Sequence, residues 1–196
     1  MNTSRQVAWE WLDRPGLEVT TVRQRLENIV IDGHVVAAWD ASVLRLRYHL
    51  RCDTHWRVEE ARIDLDASSG HRRMVSQRDG DGWRVDGNTK PELRGCEDID
   101  IMATPFTNTL PIRRLSWQLD QARDLRMVYV SLPSLDAMPM SQRYTRLVDD
   151  ASAQRRFRYH AIESGFTADL TVDDDGLVLD YPPYWRQIRH DPRYGD

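Results

Sequence analysis

The chain has 196 residues, 40% of them apolar, and a formal net charge of −4. A chain of this length buries roughly 70% of its unfolded surface, so it supports one full core without disulfide or metal staples. The acidic balance excludes a general affinity for nucleic acid, and no apolar run reaches the ~18 residues of a membrane-crossing helix.

The N-terminal MNTSRQVAWEWLDRPG lacks the apolar stretch and small-residue cleavage site of a secretory signal, so a cytoplasmic location is expected. Within it, VAWEWLDR fits either two helical turns or an extended arm that packs two tryptophans. Further on the dominant period is two. In VLRLRYHLRC, Leu44, Leu46, Tyr48 and Leu50 alternate with Arg45, Arg47, His49 and Arg51, as in a strand with one wet face. Asp32-Gly33, Asp79-Gly80, Asp86-Gly87 and Asp175-Gly176 separate short β-prone runs and predict hairpin turns, since Asp-Gly supplies the positive φ such turns need. LPIRRLSWQL fits a helix or a strand. LRMVYVSL, residues 125–132, is apolar on both faces and predicts a central strand covered on both sides. RRFRYHAI places Phe157, Tyr159 and Ala161 opposite Arg156, Arg158 and His160. GFTADLTV repeats the alternation with Phe166, Ala168, Leu170 and Val172, and Leu177, Leu179 and Tyr181 continue it. No linker or repeat divides the chain. The expectation is one mostly β domain over residues 1–196, its β core over about 16–182, built as a long curled antiparallel sheet with few short helices.

The chemistry is concentrated in GCEDIDIMATPFTNTLPIRRL, residues 95–115. Asp98 and Asp100 are two apart, so on a strand they face the same way. Such a pair can bind a cation or perform acid–base work on a sugar; it can equally accept loop hydrogen bonds or pair with Arg113 or Arg114. Thr104-Pro105 and Leu110-Pro111 stiffen TPFTNTLP, which is expected to project Phe106, cap nearby amides with Asn108 and orient Arg113 and Arg114. VDDDG at 172–176 lacks the ligand spacing of a calcium loop and reads as a hairpin turn. The histidines at 34, 49, 55, 71, 160 and 190 show no metal-ligand spacing. Cys52 and Cys96 lack it too and are expected as buried, inert thiols. The ladders Arg45-Arg47-Arg51 and Arg156-Arg158 either grip an anionic head or form a solvated face balanced by acids of neighbouring strands. No nucleophile elbow, phosphate loop or dinucleotide glycine pattern is present, and neither a metal nor a cofactor is implied.

The segment from Gly95 and Cys96 through Asp98, Asp100 and Thr104 to Leu115 resembles the signature of the bacterial putative glycolipid-binding family. RCDTHW, with Asp53 and Trp56, also fits, as do DGDGW with Gly82 and Trp83, QRYTRL at 142–147, and VDDDGLVLDYP at 172–182. The resemblance covers nearly the whole chain. It implies a spiral β-roll, likened to bacterial lipid carriers whose half-barrel sheets wrap an apolar cavity. It carries over no catalytic or ligand residues.

Three functions remain open on these grounds. The first is binding of a glycolipid or other amphiphile in the concavity of the curled sheet, with Arg113, Arg114, Asp98, Asp100, Asn108 and Phe106 as candidate contacts. The second is a hydrolase or isomerase acting on a sugar or lipid through Asp98 or Asp100 as base and Arg113 as anion clamp. The third is a protein-interaction module docking through a strand edge or an aromatic patch.

Overall fold

The computed structural model describes residues 2–149 and 153–189; His190 lies outside them. The chain first runs up and down through eight strands: β1 (Thr3–Trp11), β2 (Gly16–Gln24), β3 (Ile29–Trp39), β4 (Ser42–Cys52), β5 (Val58–Ala67), β6 (Gly70–Asp79), β7 (Gly82–Val85) and β8 (Asn88–Lys90). A second series follows: β9 (Asp98–Ile101), β10 (Ala122–Val130), β11 (Ala137–Leu147), β12 (Arg155–Ala161), β13 (Thr167–Val172), β14 (Val178–Tyr181) and β15 (Trp185–Gln187). The two series share one sheet because β15 pairs antiparallel with β1, Trp185 opposite Trp11. The order is β8-β7-β6-β5-β4-β3-β2-β1-β15-β14-β13-β12-β11-β10-β9, a sheet not closed into a barrel. The terminal strands therefore sit in the middle, and the strands extend past residues 16 and 182 on both sides.

The open edges, β8 and β9, are neighbours in the chain. Residues 91–97 link them, and two arginines bind that link. Arg126 of β10 donates to the carbonyls of Arg94 and Glu92 at 3.0 and 2.9 Å. Arg78 of β6 donates to the Glu97 carbonyl at 2.5 Å, and Trp83 to that of Cys96 at 3.0 Å. Side chains thus satisfy four backbone carbonyls of the link between the two edges.

In VAWEWLDR the first five residues are strand and the last three lie beyond it: Val7, Trp9 and Trp11 are buried on one face of β1. LPIRRLSWQL divides, with Thr109–Arg114 forming the helix α1 and Leu115 already extended. β9 and β10 are parallel, Asp98 opposite Met127 and Asp100 opposite Tyr129, which requires a crossover. A 3₁₀ turn (Phe106–Asn108) and α1 supply it. LRMVYVSL is covered on both faces, Val128 and Val130 in one apolar cluster and Met127 in another. It is not central, however: β10 lies next to the edge strand β9, and the second cover comes from the crossover and its neighbours.

The Asp-Gly pairs have separate fates. Asp86 and Gly87, at φ 49° and 78°, make the turn between β7 and β8, and residues 173–177 make the one between β13 and β14. Gly80 turns β6 into β7 at φ 61°. Asp32-Gly33 makes no turn and lies in the middle of β3, Gly33 opposite Tyr48. A Cβ on Gly33 would sit 2.0 Å from the Tyr48 ring, so the glycine is there to let that ring cross the strand. Beyond Gly33 the Tyr48 hydroxyl reaches Glu18 on β2, at 2.6 Å.

The arginine ladders form the solvated face. Arg47 and Arg51 pair with Asp66 and Glu59 of β5, and Arg156 and Arg158 both pair with Asp169 of β13. Cys52 and Cys96 are buried free thiols, and burial pushes both thiol pKa values up, away from reactivity.

Candidate functional site

On β9 the odd and even positions face opposite ways. Ile99 and Ile101 enter the larger apolar cluster, while Asp98 and Asp100 face the other side and meet the crossover. Asp98 is fully buried and accepts two bonds from Arg114 of α1, from Nε at 3.0 Å and Nη2 at 2.8 Å. Glu97 adds a third contact to Arg114 at 3.0 Å. Burial pushes the Asp98 carboxyl upward, and the Arg114 guanidinium opposes it. The result is a closed ion pair that staples α1 to the edge strand.

Asp100 has no charged partner among the described residues. Its two oxygens accept from Thr107 Oγ1 at 3.0 Å and Gln142 Nε2 at 2.5 Å, both neutral donors. Burial raises its pKa, and these two bonds hold the rise back. Two other residues of TPFTNTLP close the same network. Asn108 Oδ1 accepts from the Tyr144 hydroxyl at 2.8 Å, and its Nδ2 donates to the Pro105 carbonyl at 3.1 Å. Asn108 therefore braces the loop through a tyrosine and a carbonyl and caps no amide. Phe106 does not project; it is fully buried, 6.4 Å from the Tyr48 ring.

Asp100, Asn108 and Thr104 open onto a cavity of about 260 Å³ where the two strand series meet. Aromatic residues make half of its wall. Trp11 and Trp185 stack at 4.4 Å, Tyr181 stands edge-on to Tyr184 at 5.9 Å and to Tyr159 at 6.1 Å, and Tyr129 completes the set. The hydroxyls of Tyr129, Tyr159, Tyr181 and Tyr184 have no hydrogen-bond partner among the described residues, and none is a sealed orphan. They remain available to whatever enters. Burial raises the pKa of Tyr129 to about 12 and lifts those of Tyr159 and Tyr181 well above the usual phenol value, so all three stay protonated donors. Arg14 lies at the rim, its guanidinium 4.7 Å from Trp11 and 4.4 Å from Trp39, with the Asp13 carboxylate 3.4 Å away.

Below the cavity is a second buried acid. Glu18 Oε1 accepts from Thr20 at 2.6 Å, Tyr48 at 2.6 Å and Thr104 at 2.7 Å, while Oε2 has no partner. Burial raises its pKa to about 7 against the pull of those three hydroxyls. Thr104 belongs to both the Glu18 network and the cavity wall.

The six candidate residues are thus distributed. Asp100 and Asn108 come together at the aromatic cavity, Asp98 and Arg114 form the buried pair, and Phe106 is core. Arg113 is elsewhere: its guanidinium covers Trp56 at 4.8 Å and reaches the Asp175 carbonyl at 3.1 Å, beside a separate cleft of about 310 Å³. The acid expected as base, Asp98 or Asp100, and the expected anion clamp, Arg113, do not share a pocket.

This arrangement can be set beside known proteins. Residues 6–187 match the family described as "Putative glycolipid-binding". The chain belongs to that family. It is also similar to the crystal structure of a DUF1089 family protein from Pseudomonas aeruginosa, at 36% identity and a TM-score of 0.76, over 87% of this chain and 92% of that one. None of the curated proteins compared with it matches.

In this member of the family, sequence elements far apart meet at the cavity floor: QRYTRL contributes Gln142 to Asp100 and Tyr144 to Asn108. Sequence reasoning passed over the aromatic wall and Glu18. The wall had a visible signal in YPPYW, three aromatic rings and two prolines within residues 181–185. Glu18 had none: on β2 it is fully buried while the adjacent Leu17 is 42% exposed, the reverse of what their hydropathy suggests.

Proposed function

We propose that this protein binds the polar head of a glycolipid or related amphiphile in the aromatic cavity. The observation that carries this is the group of four unpartnered tyrosine hydroxyls beside Asp100, walled by indole and phenol rings. Sugar rings present hydroxyls at their edge and C–H groups on their face. This wall offers donors and acceptors to the first and flat apolar surface to the second.

The volume of about 260 Å³ lies just below the range of drug-sized ligand sites, roughly 300–1,000 Å³, and so admits a head rather than acyl chains. Met102, a wall residue 41% exposed, offers an apolar lip to the first carbons of a tail. The larger concavity is packed with side chains such as Trp9, Leu44, Leu46 and Ile63. We therefore locate binding at the junction of the two strand series. Two buried free thiols favour a reducing compartment, in keeping with a cytoplasmic ligand. Among the described residues no helix is long and apolar enough to cross a membrane.

Native mass spectrometry of the protein incubated with a total lipid extract of its host tests this reading. The expected result is a retained adduct that disappears in the Tyr184→Ala variant. A clean apo mass after incubation overturns it.

A further inference from the structure

The head group's charge follows from the electrostatics of the same cavity, an inference that rests on the head-binding reading above. Asp100 is a buried carboxylate with two neutral donors and no ion-pair partner among the described residues. Buried acids are ordinarily paired with a cation, and Asp98, two residues away, is. The basic residue of the wall is Arg14, but its guanidinium lies over the Trp11 and Trp39 rings and faces Asp13. The Asp13–Arg14 pair cancels, leaving Asp100 as the acid of the cavity that no cation answers; burial raises its pKa, and an incoming cation would favour its ionised form.

The rings that line the same cavity meet at steep angles. The plane of Tyr181 is inclined by 60° to that of Tyr159 and by 80° to that of Tyr184, and Trp11 and Trp185 stack as a further wall. Ring faces carry negative quadrupole potential, and boxes of such faces with a carboxylate at one side attract ammonium groups. A neutral sugar would use the hydroxyls but leave the charge unanswered. An anion would meet Asp100 and the ring faces, both repulsive.

We propose that the cavity selects a head group bearing an ammonium, its charge seated against Asp100 and its C–H surface against the tyrosine and tryptophan faces. Two sources share that chemistry: an amino sugar, and the quaternary or primary ammonium of a phospholipid-type head.

Calorimetric titration of the full chain with glucosamine, glucose, glucuronate and tetramethylammonium separates the cases. The expected result is glucosamine binding about tenfold or more tighter than glucose, with glucuronate weakest. Glucose matching glucosamine overturns the charge selection while leaving the sugar-head reading intact. Glucuronate binding tightest overturns it in favour of an anion site at Arg14. Tetramethylammonium binding where no sugar binds upholds the ammonium cage and removes the sugar reading. Binding of no probe overturns both. Asp100→Asn, confirmed folded by its melting curve, should reduce the glucosamine-to-glucose preference to near one; an unchanged preference overturns the assignment to Asp100.

Discussion

The two ends of β9 are built from the same residue type, on the same face, one turn of the pleat apart, and they differ in what answers the charge. At Asp98 a guanidinium from α1 lies 2.8 Å away and the site is closed. At Asp100 the donors are an amide and a hydroxyl, and the site opens onto a cavity walled by aromatic rings. A balanced buried acid holds the fold. An unbalanced one beside a cavity is relieved by taking up a proton, the direction in which burial pushes Asp100, or by a cation brought to it.

The largest expected effect is on the balanced end. Arg114→Ala strands a fully buried Asp98, one of whose oxygens is already without a partner. Urea unfolding should show a loss of about 3–5 kcal/mol. A loss below about 1 kcal/mol would mean that Asp98 is neutral and the pair contributes little.

The buried Glu18 under the cavity gives a pH test of comparable size. Its folded pKa, near 7, is above that of an unfolded glutamate, so the folded state holds the extra proton between those values. Its contribution is complete below about pH 4.5 and is lost as pH rises toward 7, on the order of 3 kcal/mol in all. Glu18→Gln should remove that slope. The stability difference between variant and wild type, followed from pH 4.5 to pH 8, should move in the variant's favour as pH rises; a constant difference would place the ionisation elsewhere.

Asn108→Ala removes a partner from both the Tyr144 hydroxyl and the Pro105 carbonyl, and should cost about 1–3 kcal/mol. An unchanged melting curve would show that the loop stands without this brace. The smallest effect on stability belongs to the unbalanced end. Asp100→Asn keeps an oxygen for Thr107, and reorienting the Gln142 amide restores the other bond, so unfolding should shift by only about 1 kcal/mol. If Asp100→Asn cost as much as Arg114→Ala, the contrast between the two ends would collapse.

Local pattern carried the β class a long way. Alternation in β4, β12 and β13 marked the buried face residue by residue, because a strand's side chains alternate whatever lies beyond them. Asp86-Gly87 and Asp175-Gly176 announced their turns, because positive φ is a property of the residues themselves. The family signature placed the chain's chemical centre at residues 95–115.

Three features lay beyond it. Asp32-Gly33 has the same local preference as the turn-forming pairs, but its glycine answers a tyrosine from β4, fifteen residues on. Asp98 and Asp100 are indistinguishable in sequence; the crossover brings Arg114 to one, and β11, β12 and β14 bring Gln142 and two tyrosines to the other. The cavity itself exists only because the first and last strands pair in the middle of the sheet, setting Trp11 against Trp185. Period, turn and burial face are decided by covalent geometry within a few bonds, and the sequence alone determined them. Charge partners and cavities depend on which distant segments meet, and only the tertiary structure decided those.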